Sequence, residues 1–477
     1  IYLKLYIMRL NYKYSLLALC AVLFSCQPTA EKKETTDMST DKFTGAKGEV
    51  KIMTLDPGHF HAALVQKFDL GQVDPVVNVF APAGPDVEGH LNRIKGFNTR
   101  TENPTHWEEK VYRGDDFFEK MIAEKPGNVV VIAGNNAKKT EYIRDAVAAG
   151  INVLADKPMI ITPEKFDMLK LAFKIAEEKG VLLYDIMTER HEITTMLQKS
   201  LSQMPNVFGQ LEVGTPDNPA VTKESVHHFF KYVSGNPLVR PAWFFNVAKQ
   251  GEGIVDVNTH LVDLIQWECF PEQIIDYEND IEITSAKRWP TKLTPSMFNR
   301  VTGLDGYPEE LLGDIKNDSV LHVYSNGEIN YKIKGINAKA SVIWNYEAPE
   351  GAKDTHYSIM RGTKSNLVIR QGEEQNYKPQ LYVEPVEGTD LTVLEKELKG
   401  AISEINKEYP GVSMSNSAKG WIVVIPDKYK LGHESHFTQV TEKYLGYLKD
   451  GKLPEWEVPN MLAKYYTTTQ AFIMSQK

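Results

Sequence analysis

Cysteine is scarce in this 477-residue chain: there are three, and past Cys26 only Cys269 remains. With Cys26 taken by a lipid, as argued below, neither an intramolecular disulfide nor a cysteine-based zinc site can form, and no metal site is expected. An excess of positive charge is also missing. Lys and Arg number 54 against 63 Asp and Glu, a formal net charge of −9, which argues against a nucleic-acid groove or an anionic membrane surface as partner. The chain shows no internal repeat and no second apolar stretch fit for an anchor after its first 26 residues. What is there is ordinary for a globular protein: 42% hydrophobic, 25% charged, and long enough for two domains.

The N-terminus is a separate matter. From Met8 the chain reads "MRLNYKYSLLALCAVLFSC", with basic Arg9 and Lys13, an apolar run over 16–24, and then Ser25-Cys26. That is the pattern of a secretory signal, and its apolar run is too short for a comfortable membrane span. "LFSC" resembles a bacterial lipobox, with Cys26 as the lipidated first residue of the mature protein. The seven residues before Met8 read as a misplaced start. Residues 27–48 are polar and read as a flexible tether. Removing 1–26 takes Lys4, Arg9 and Lys13 and no acid, so the formal charge falls from −9 to −12. The expected location is exported and lipid-anchored, in the periplasm or at the outer membrane of a Gram-negative bacterium, with the membrane touched only through the lipid.

Over 49–185 apolar strands interleave with amphipathic helices. Strands are expected at 50–55, 76–81, 128–134, 151–155 and 181–185, and helices at 59–68, 115–124, around 138–150 and at 163–180. This alternation predicts a Rossmann-type, doubly wound parallel sheet covered on both faces. From 186 to 477 the texture changes to alternating strands and later helices, which predicts an α+β domain with an open, largely antiparallel sheet. Residues 376–430 read as an insertion or extension.

Three stretches carry candidate chemistry. The first βα turn, "LDPGHFHAAL" (55–64), keeps only Gly58 of a G-x-G-x-x-G frame; Asp56 and His61 hold the outer positions. After the second strand the nearest acid that could hold a ribose is Asp86, which leaves NAD or NADP open. In "GINVLADKPMIITPEKF" (150–166) Lys157 stands at the carboxyl edge of a parallel sheet, where such folds bind ligands, and Pro158 keeps it extended. In "GEGIVDVNTHLVDLIQW" (251–267) a helical wheel puts Ile254, Val257, Leu261, Leu264 and Ile265 on one face. Asp256, Thr259, His260, Asp263 and Gln266 share the opposite arc, with Trp267 in its middle as an expected cleft wall. Asp256 and His260, four apart, are placed to meet, and a carboxylate beside an imidazole supports a proton acceptor.

Asp156-Lys157-Pro158 after a Rossmann strand, followed by Gly251, Gly253, Asp256, His260, Asp263 and Trp267 in one motif, resembles the glucose–fructose oxidoreductase / inositol dehydrogenase / MocA family. Glu252 replaces a glycine of that motif. "AGNNAKKTEYI" resembles the family's strand-end "T-P-N" turn, keeping Asn136, and "MTERH" its entry to the second domain, with Arg190. The resemblance covers roughly residues 50–375. It implies a hydride-transfer site: Lys157 bonding the reacting hydroxyl, His260 accepting its proton, and Asp256 orienting substrate and imidazole. It also implies a nicotinamide cofactor, NAD or NADP, held by Asp56, Gly58, His59, Phe60, Asn135, Asn136, Asp156, Lys157 and Pro158. Arg190 and Trp243 would join Lys157, Asp256 and His260 at a sugar, polyol or glycoside, in a homo-oligomer built through the C-terminal sheet. Two alternatives stand beside net oxidation: a redox-neutral glycosidase working through a transient 3-keto sugar, and a non-catalytic carbohydrate-binding relative. The pair His433 and His436 reads as a polar helix start, since no third ligand accompanies it.

Overall fold

The computed structural model describes residues 42–233, 236–316 and 319–477. The expected signal, Cys26 and residues 27–41 of the tether lie outside the described residues.

Six parallel strands make the first sheet: β1 Ile52–Leu55, β2 Val76–Ala81, β3 Glu108–Arg113, β4 Val129–Ile132, β5 Asn152–Asp156 and β6 Leu183–Ile186, in the order β3-β2-β1-β4-β5-β6. Strands β1, β4, β5 and β6 are buried along their whole length, as their unbroken apolar runs require when helices cover both faces. Chain order reverses between β1 and β4, the switch point at which such sheets bind ligands.

Two expectations need correction here. The helix after β1, expected over 59–68, is only His61–Leu64. Its continuation is stopped because the Gln66 carbonyl accepts the Trp107 indole N–H (2.6 Å) and the Lys67 carbonyl accepts from Arg100 (2.6 Å). Strand β3 and the helix Pro85–Thr99 were not foreseen: β3 is an edge strand with mostly exposed side chains and no apolar run.

The second sheet runs in the order Ile281–Leu293, Val320–Ile333, Ile336–Glu347, Val221–Phe230, Thr355–Arg361, Ser365–Gln371, Gln380–Pro385, Gly420–Val424, Ser413–Ser417. Val221–Phe230 pairs in parallel with Ile336–Glu347; the other pairings in this row are antiparallel. Residues 376–430 are thus part of the sheet: they add its last strands and the helix Leu391–Glu408, whose Leu394, Leu398, Ile402 and Ile405 enter the second domain's core. The final helices, His433–Asp450 and Glu457–Ser475, return to the first sheet, where Phe437, Val440, Tyr444 and Tyr465 join its core. Among the described residues no helix is long and apolar enough to cross a membrane.

Candidate active site

Two glycines fix how the site is built. A Cβ on Gly134, after β4, would lie 1.9 Å from the Asp56 carbonyl oxygen, so this close approach of two strand ends requires glycine. A Cβ on Gly253 would lie 1.8 Å from the Ser325 carbonyl oxygen, seating the turn before the helix Asn258–Cys269 against the second sheet. Glu252, where the family motif has glycine, turns to Arg288 (2.6 Å).

At the switch point lies a cavity of about 440 Å³ whose lining includes Asp56, Gly58, Pro82, Asp86, Asn135 and Trp243. Asp56 takes the left-handed conformation (φ 46°) where the glycine frame would begin, a conformation aspartate tolerates better than most residues. Asp86 supplies the acid missing at the end of β2 and accepts from the Trp243 indole (3.3 Å). Burial raises the pKa of both carboxyls. The cavity at the carboxyl ends of β1, β2 and β4, and the glycine-dependent contact of their turns, fit a dinucleotide.

Lys157 follows β5 directly and bonds Asp256 through Nζ (2.6 Å), with both side chains about nine-tenths buried. Asp256 also accepts from Gln250 Nε2 (3.0 Å), and the Gln250 carbonyl accepts from Asn136 Nδ2 (2.7 Å). The expected Asp256–His260 pair is therefore not formed. Asp256 lies in the turn before the helix, and its oxygens are taken by Lys157 and Gln250.

His260 lines a second cavity, of about 180 Å³, with Glu189, Thr195, His227, Leu261 and Asp354 among its other walls. Burial, with Lys157 and His433 adding to it, holds the imidazole well below the ordinary histidine range, and its Nδ1 has no hydrogen-bond partner. Burial and then Glu192 push the Glu189 carboxyl up to about 7. The Lys157 ammonium adds to the lowered pKa of His59, His260 and His433 and works against the raised one of Glu189.

The rest of the polar arc faces away from both cavities. Arg190, expected at the substrate, is buried: it bonds Asp263 (2.7 and 2.8 Å) and Glu457 (3.1 Å). Lys464 bonds Asp263 (2.8 Å) and Asp185 (2.7 Å). Burial works against the charged Asp263, but Arg190 and Lys464 outweigh it and hold the carboxyl well below the usual range. Gln266 joins Asn460 and Lys464 backbone groups, and Trp267 lies under the Lys199 ammonium (4.0 Å) instead of walling a cleft.

Among the expected cofactor residues, Asp56, Gly58 and Asn135 line the larger cavity, whereas Asn136 is turned inward to Gln250. Phe60 is exposed at the turn, His59 is half-buried beside it, and Asp156 and Pro158 are buried at the end of β5. Trp243, expected at the substrate, lines the cofactor-side cavity.

Four participants were missed from the sequence. Lys139 is wholly buried, donates to the Asp156 carbonyl (2.8 Å), and is brought down to about 8 by burial. Gln250, Glu457 and Lys464 are the others, and short motifs gave no signal for any of them.

A Rossmann sheet with a ligand cavity at its switch point and a lysine at the end of β5, paired to an aspartate before a histidine-bearing helix and joined to an open sheet, defines a nicotinamide-dependent oxidoreductase fold. The chain belongs to this glucose–fructose oxidoreductase / inositol dehydrogenase / MocA family. It matches "Oxidoreductase family, NAD-binding Rossmann fold" over residues 61–185 and "Putative oxidoreductase C terminal domain" over 197–476. The cofactor is accordingly NAD or NADP.

A crystal structure described as a "putative oxidoreductase" from Parabacteroides merdae ATCC 43184 is 60% identical, with TM-score 0.89, covering 91% of this chain and 99% of that one. More distant structures share the fold. Levoglucosan dehydrogenase with NADH and L-sorbose has 13% identity and TM-score 0.55, covering 90% of this chain and 96% of that one. Biliverdin reductase from Synechocystis sp. PCC 6803 with biliverdin and NADP+ has 12% identity and TM-score 0.53, covering 90% and 100%. No curated protein matches.

Proposed function

We propose that the protein transfers hydride between a CH–OH group of a sugar, polyol or glycoside and a tightly held NAD. The carrying observation is the position of Lys157: directly after β5 at the carboxyl edge of the parallel sheet, nearly buried, and paired to Asp256 on the turn that leads into the His260 helix. When bound, the nicotinamide supplies the hydride acceptor. Lys157, fixed by Asp256, keeps N–H donors for the oxygen of the reacting hydroxyl. Neutral His260 accepts that hydroxyl's proton, which an alcohol must lose as its hydride leaves. Hydroxyls of a polyol find partners at Glu189, Glu192, Thr194, Thr195, Ser225 and Asp354, all in the wall of the His260 cavity. Four carboxylates, Asp56, Asp86, Asp115 and Glu310, outnumber two lysines, Lys138 and Lys249, in the lining of the cofactor-side cavity, and this net negative charge favours NAD over NADP. Lys157→Ala and His260→Ala should each lower turnover by roughly 10²–10⁴-fold, and near-parental activity in either would end this assignment. Mass spectrometry of the denatured protein should find dinucleotide.

Redox-neutral glycosidase chemistry is favoured by one observation. Glu189, titrating at about 7, opens onto the same cavity as His260 and offers a second proton acceptor for a carbon acid beside a transient ketone. Turnover of a nitrophenyl glycoside without net cofactor reduction would establish it; strict coupling to NADH formation would exclude it. The same proposal includes export and lipidation at Cys26, and self-association through the second sheet; a monomer in analytical ultracentrifugation would remove the last.

A further inference from the structure

We propose that His59, His61 and Asp156 form a binding site for a single divalent transition-metal ion of the zinc type. The β1 turn carries the two imidazoles and the end of β5 the carboxylate. Each side chain offers one ligand atom, and these atoms lie within 4.8 Å of one another. Among the described residues no other trio of histidine, cysteine or carboxylate side chains converges in this way.

His61 Nδ1 and Asp156 Oδ2 are 3.0 Å apart. That separation suits two donors on one ion with bonds of about 2.0–2.2 Å. The His59 and His61 rings stand edge to face, with centroids 4.0 Å apart. His59 Nδ1 accepts the backbone N–H of His61 only at 3.3 Å, a long contact that an ion bound to this ring would displace.

The neighbouring lysines leave the Asp156 carboxylate available. Lys157 Nζ is bound to Asp256 (2.6 Å) and Lys139 Nζ to the Asp156 backbone carbonyl (2.8 Å). His433, whose missing third ligand made it unremarkable in the sequence, arrives from another element with its ring centroid 5.4 Å from that of His61. Its Nε2 faces the Thr188 hydroxyl (3.4 Å), so it packs behind the trio without bonding a ligand.

Two imidazoles and one carboxylate leave coordination positions open for water or an oxygen ligand. The site also accounts for His61 at a position where a dinucleotide turn normally has glycine.

The test uses the full chain, stripped with chelator and titrated with Zn²⁺ by calorimetry, and with Co²⁺ as an optical probe. One ion per chain is expected, with visible Co²⁺ bands that Zn²⁺ displaces. His59→Ala should weaken binding at least about 100-fold. His59 is only half-buried, so this variant should fold; circular dichroism checks it, and Asp156→Asn is the second ligand variant. No stoichiometric ion, or affinity unchanged in folded His59→Ala, would overturn the proposal. The readout needs neither dinucleotide nor substrate, so its failure leaves the hydride-transfer reading standing.

Discussion

Lys464→Met perturbs the buried charge cluster that joins the final helix to the active-site helix. Three carboxylates, Asp185, Asp263 and Glu457, face three cations, Arg190, Lys443 and Lys464, and only Lys443 has substantial solvent exposure. Lys464 is fully buried and makes two charge-assisted hydrogen bonds, to Asp185 (2.7 Å) and Asp263 (2.8 Å). Each such bond contributes about 1.5–3 kcal/mol. Methionine fills similar space and recovers some apolar contact, but the cluster is left with one uncompensated buried negative charge. The expected net loss is about 3–5 kcal/mol, a large part of a typical stability of about 5–15 kcal/mol. Urea unfolding followed by circular dichroism should show it as a lower midpoint. The double variant Lys464→Met/Asp185→Asn restores charge balance and keeps an acceptor for the Tyr465 hydroxyl (2.8 Å from Asp185), so it should regain about half of the loss. A single variant that loses under about 1 kcal/mol, or a double variant no more stable than the single, would refute this reasoning.

In a Glu189→Gln background, which removes the carboxyl near 7, the pH profile of hydroxyl oxidation should show no limb at 6.5, the ordinary histidine value, because His260 is already neutral there; a limb centred near 6.5 would remove it as the base. The same depression has a stability consequence: below pH 6.5 the unfolded chain takes up protons that buried histidines refuse, so stability should fall as pH drops, and acid titration of the urea midpoint checks the sign. NAD should bind at least about 10-fold more tightly than NADP by calorimetry, and Asp86→Ser should narrow the gap. Trp243→Ala should shorten dinucleotide retention on dialysis, since affinity differences lie mostly in the off-rate. Cys26→Ser should release the protein from membranes in detergent phase separation, and continued partitioning would show another attachment.

What the sequence makes legible follows from which forces act locally. Strands β1, β4 and β5 are visible because a strand buried on both faces must be apolar throughout; β3 is not, because an edge strand has no such obligation. Lys157 is found because a strand end before proline has one geometry; Gly253 is found through the motif it shares with Asp256 and His260, and the structure supplies the reason, since only glycine clears the Ser325 carbonyl. The polar arc around His260 is harder. A helical wheel gives each side chain a direction, but what it meets there is decided by elements far away in the chain. Asp263 and His260 are one turn apart, yet one meets Arg190 and Lys464 and the other a cavity. His61 and Asp156, 95 residues apart, come within 3.0 Å only because β1 and β5 flank β4 in one parallel sheet. Local pattern therefore locates the edge at which chemistry happens, while tertiary pairing decides which of its polar groups are free to take part.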